Sequence, residues 1–73
     1  MDVAALDAEL RRLHGDWSAA KRLSELHEAS AALATDAGAR RFRLTQAWIF
    51  ALVAGEEPRI QRLEAALRGL GGL

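Results

Sequence analysis

The stretch Gly15-Asp16-Trp17-Ser18-Ala19-Ala20, echoed 40 residues later by Gly55-Glu56-Glu57-Pro58-Arg59-Ile60, decides how this chain folds. In each, a glycine stands where a helix ends, because glycine alone enters the left-handed region without steric cost. An acidic residue, and in the second copy a proline, then opens the next helix. Two such punctuation marks in 73 residues predict two helical hairpins.

Working outward, Asp2 caps a first helix over about Val3 to His14, with Val3, Leu6, Leu10 and Leu13 at helical spacing. Arg11, Arg12 and His14 crowd its last turn, where the helix dipole favours positive charge. Asp16 caps a second helix over about Trp17 to Ala34, whose apolar face collects Ala19, Ala20, Leu23, Leu26, Ser30, Leu33 and Ala34, with His27 at its margin. Thr35, Asp36 and Gly38 break the pattern, and Asp36 is the cap of the third helix.

That third helix, about Ala39 to Ala54, departs from the others. Its segment Ala47-Trp48-Ile49-Phe50-Ala51-Leu52-Val53-Ala54 is apolar around the whole circumference. Phe42, Ile49, Leu52 and Val53 make one stripe, and Leu44, Ala47, Trp48 and Ala51 another. A helix apolar on every side has to be covered on every side. Gly55 ends it, Glu57 caps the next helix and Pro58 takes its first position. The fourth helix carries Ile60, Leu63, Ala66, Leu67 and Leu70 opposite Gln61, Glu64 and Arg68, and Gly69, Gly71 and Gly72 are expected to let its end fray.

The reading is therefore all-α: four helices in two antiparallel hairpins, the first about residues 2–35 and the second about 39–70, within one domain. A domain of this size buries only about 60% of the surface of its unfolded chain. No cysteine is present to staple it, so association with a second copy is the expected source of extra stability.

The Gly15 to Ala20 turn resembles that of a tetratricopeptide repeat, in which a glycine closes the first helix, an aromatic follows two residues on and an alanine five on. The resemblance implies an αα-hairpin that works by binding other proteins. It covers about one turn: the second hairpin keeps Gly55 but has Glu57 and Ile60 at the other two positions, and Ser24 and His27 stand where the family has an aromatic and an alanine. An unrelated pair of helical hairpins would give the same turn.

Ten basic and ten acidic residues leave a formal net charge of zero, so no global field draws the chain to nucleic acid or anionic lipid. The longest apolar run is far below the roughly 20 residues of a membrane span, which gives the expectation of a soluble, cytoplasmic protein. Within that neutral chain, Arg40, Arg41 and Arg43 gather at the start of the third helix, where the dipole disfavours each by about 0.3 to 1 kcal/mol. They are the candidate contacts for an anion such as a nucleic-acid phosphate, with Phe42 available to stack. The alternative is ion pairing with Asp36, Glu25 or Glu28.

His14, His27, Glu25 and Glu28 lack the i, i+4 spacing of a helical metal site. Ser18, Ser24 and Ser30 have no base and orienting acid nearby in sequence. No enzyme activity, metal or cofactor is implied. Trp17 is expected to fold over the end of its own hairpin, whereas Trp48 is divided evenly between core and interface. The functional expectation is a small protein–protein interaction or scaffolding module that dimerises through the third helix, with Leu44, Ala47, Trp48, Phe50 and Ala51 at the contact. A polar face or the concave side of the hairpin pair would receive a further protein partner. Nucleic-acid or nucleotide binding through the arginines is the second reading.

Overall fold

A computed structural model describes residues 2–73 and is all-α among them. Helices α1 (Val3–Leu13), α2 (Ala20–Leu33), α3 (Ala37–Ala54) and α4 (Glu57–Gly69) succeed one another, with a 3-10 turn over Trp17–Ala19 before α2. The caps explain the boundaries. Asp2 accepts the Ala5 N–H at 2.7 Å and Asp36 the Ala39 N–H at 2.8 Å, so α3 starts two residues before the apolar spacing alone indicates. Asp16 takes both the backbone N–H and the hydroxyl of Ser18, at 3.1 and 2.6 Å, and this local pair tightens the start of the second helix into a 3-10 turn.

Gly15 and Gly55 adopt φ of 92° and 71°, the left-handed conformation that their positions require. Glu56, not Glu57, occupies the cap position of α4 and makes no capping bond; Pro58 lies in the first turn. The end of α4 does not simply fray. Gly71 turns at φ 74° and the Gly72 N–H reaches the Leu67 carbonyl at 2.8 Å, which lays Gly72 against the Arg41 side chain.

Each helix packs on its neighbour in the chain, and the α2–α3 contact is the most extensive. Their directions alternate, as the pairings across them show. Arg22 early in α2 meets Glu9 late in α1, and Arg40 at the start of α3 donates to the Ala34 carbonyl at the end of α2. One layer of core joins Ala31, Leu44, Ala47, Ala51, Ile60, Leu63 and Leu67, closing α3 and α4 onto the end of α2. A second joins Leu6, Leu10, Ala20, Leu23, Leu26 and Phe50, closing α1 onto α2 and the end of α3. Between the helices, the Ser24 hydroxyl donates to the Ala47 carbonyl at 2.7 Å in a fully buried contact.

Helix α2 is thus clasped on two sides, and its buried face is rotated from the one the sequence indicates. Ser24, His27 and Ala31 are buried, whereas Leu33 is exposed. The whole measures 30 × 28 × 17 Å. With helices about 10 Å across, that is a flattened slab with little depth to enclose any helix fully.

Candidate interaction surface

Helix α3 shows what the slab can and cannot cover. Leu44, Ala47, Phe50 and Ala51 are buried within the chain itself, packed on α1, α2 and α4. Trp48 is half-buried, packs against the core layer of Leu44, Leu63 and Leu67, and donates its indole N–H to Glu64 at 3.1 Å. Four of the five residues expected at a subunit contact therefore lie in the chain's own core, and Trp48 is partly covered by it. A period of 3.6 finds both stripes of α3 and does not say which of them meets α2 and α4.

The other stripe is the one left open. Phe42 is 57% exposed, Ile49 39%, Leu52 47% and Val53 49%. With Thr45 and Gln46 they fill an arc of roughly 120° along about 16 Å of helix, and none of the six carries a charge. Trp17 is a separate exposed aromatic at the end of the first hairpin. Its ring lies 6.1 Å from that of Phe50, tilted by 44°, yet stays 64% exposed, so it borders the hairpin end rather than closing over it.

Charge is concentrated elsewhere. Glu9, Arg22, Glu25, Arg59, Glu28 and Arg62 form a continuous chain of ion pairs linking α1, α2 and α4, with Arg22 Nε on Glu9 at 2.8 Å and Arg59 on Glu28 at 2.6 Å. Arg22 holds the Glu9 carboxyl below its ordinary range, and Glu28 raises Arg62. Helix α3 contributes nothing to this network.

The three candidate anion contacts do not converge. Arg40 Nη2 donates to the Ala34 carbonyl at 3.0 Å, Arg41 lies against Gly72, and Arg43 turns toward α1, its guanidinium 5.7 Å from the Phe42 ring. Successive positions on a helix are about 100° apart, so adjacent arginines need not share a face. Nor do they pair as the alternative had it. Asp36 caps α3, Glu25 and Glu28 are engaged by Arg22, Arg59 and Arg62, and none of Arg40, Arg41 and Arg43 has a carboxylate within 4.0 Å among the described residues.

A feature that the spacing did not reveal lies between α1 and α3. The two helices stand apart over α2, leaving a groove of about 440 Å³ between Asp7, Leu10, Arg11 and His14 on one side and Phe42, Arg43 and Gln46 on the other, with His27 at its floor. It adjoins an apolar cleft of about 560 Å³ toward Val3, Leu6 and Leu33. His27 is 4% exposed, stacks on Phe50 at 5.6 Å with the rings 7° apart, and has neither ring nitrogen hydrogen-bonded. Burial, with Arg43 and His14 nearby, pushes its pKa down to about 4. A buried polar group without a partner costs roughly 1–3 kcal/mol, so an imidazole here is not explained by packing.

Among the described residues, no three His, Asp or Glu side chains gather to hold a metal, and no helix is long and apolar enough to cross a membrane. No family model matches the chain, and neither a curated protein nor a solved structure is similar to it.

Proposed function

We propose that this chain is a non-enzymatic protein–protein interaction module that assembles with a second copy of itself through the outer face of α3. One observation carries the reading: Phe42, Ile49, Leu52 and Val53 are exposed together in one uncharged arc. Leaving such a stripe in water forgoes about 25 cal/mol for each Å² that a partner could cover. A second copy presents the same neutral apolar stripe, and a two-fold axis crossing α3 near Gln46 and Ile49 sets Phe42 of one copy against Leu52 and Val53 of the other.

Such pairing leaves the ion-paired surfaces of α1, α2 and α4 facing outward, available to a further protein. The double variant Ile49→Glu, Val53→Glu tests the reading, because it places two charges where the contact would be dry. Sedimentation equilibrium should give twice the 7.9 kDa chain mass for the parent protein and 7.9 kDa for the variant, with unchanged helical circular dichroism. The dimer should weaken by at least about 100-fold, or about 3 kcal/mol. A parent chain that stays at 7.9 kDa up to millimolar concentration, or a variant that still pairs, overturns it.

A further inference from the structure

His27 is a polar side chain in a place where an apolar one of the same shape would pack without penalty. It faces α1 through the groove whose charged groups are Asp7 and Arg11 on α1, His14 at that helix's end and Arg43 on α3. Asp7 is held by Arg11 at 3.0 Å, and the buried His27 ring, with its one N–H donor, has no hydrogen-bond partner. Arg43 has no carboxylate within 4.0 Å among the described residues. Donors without acceptors thus meet at one end of a cleft whose other end, by Val3, Leu6 and Leu33, is apolar. The two cavities are neighbours that share Asp7, Leu10 and Arg43 in their walls, and the distance along α1 from Val3 to Leu10 is about 10 Å.

We infer that the α1–α3 cleft binds an amphiphilic monocarboxylate, with its head between Arg43 and His27 and its alkyl tail along Leu6 and Leu33. The carboxylate accepts from the Arg43 guanidinium and, after a side-chain rotation at the groove floor, from one His27 ring N–H. Both donors then have the acceptor they lack. A phosphate dianion fits less well, because the carboxylate of Asp7 at the same rim repels two charges more than one and the neighbouring cleft is mainly apolar. Leu6, Leu10, His27 and Arg43 face the space between α1 and α3, and Phe42 and Gln46 are shared between the rim of the groove and the outer arc of α3.

Decanoate is the probe, followed at neutral pH by calorimetry and by the nitrogen-15 resonances of the His27 ring in the full chain. Decanoate should bind one per chain and shift the His27 ring nitrogens, and decanol, with the same tail and no charge, should bind at least about tenfold more weakly. Arg43→Gln should weaken decanoate by about tenfold, leave decanol unchanged and retain the parent's circular dichroism. Inorganic phosphate should leave the His27 ring unmoved. Equal affinity for decanol and decanoate, undiminished binding by Arg43→Gln, or decanoate binding without a response at His27 would each overturn the assignment, as would no binding at all.

Discussion

At the residue scale the burial of His27 makes the fold sensitive to acid. Its folded pKa of about 4 lies below the 6.5 of a free imidazole, so the unfolded chain takes up the proton first as pH falls. The neutral, buried state contributes fully above about pH 6.5, and stability declines from there until about pH 4, by up to roughly 3 kcal/mol. Urea unfolding at pH 7, 5.5 and 4 should trace this decline, and His27→Phe, which keeps the stack on Phe50, should flatten it. An equally steep decline in that variant would assign it to other groups. Ser24→Ala should cost about 1 kcal/mol through loss of the hydroxyl bond to Ala47. Neither role was legible in the sequence. Spacing puts both residues on or beside the apolar face of α2, but only the clasping of α2 between α1 and α3 decides that they are buried.

At the scale of elements the sequence was most readable where a residue's chemistry acts on its own backbone. Asp2, Asp36, Gly15 and Gly55 mark ends because caps and left-handed glycines are local devices, and all four behave as their types dictate. Where two adjacent residues compete for one role the reading slipped by a position, as with Glu56 and Glu57. Two glycines separate the causes. Gly55→Ala forces a side chain into φ 71° and should destabilise by about 1 kcal/mol. Gly69→Ala, in ordinary helical geometry with open space around it, should stabilise by about 0.5 kcal/mol. Thermal unfolding of both variants checks the pair; equal effects would refute the conformational explanation. For α3, periodicity found two stripes but not their assignment, since which one faces α2 and α4 depends on tertiary packing.

The whole molecule is a slab 17 Å through, and its thinness explains why the all-apolar segment of α3 is only half sheltered. One set of surfaces is laced by ion pairs from Glu9 to Arg62, and α3 turns an uncharged stripe outward. Surface ion pairs are worth about 0–1 kcal/mol each, so the network orients helices more than it stabilises them. In the proposed dimer, a second copy supplies the burial that this slab does not give the outer stripe of α3. Pairing through α3 is tested most directly by isotope-filtered nuclear Overhauser spectroscopy on a mixture of labelled and unlabelled chains. Contacts between copies should run from the Phe42 ring to the methyls of Leu52 and Val53; their absence at millimolar concentration, or contacts between copies arising elsewhere on the slab, would contradict the account.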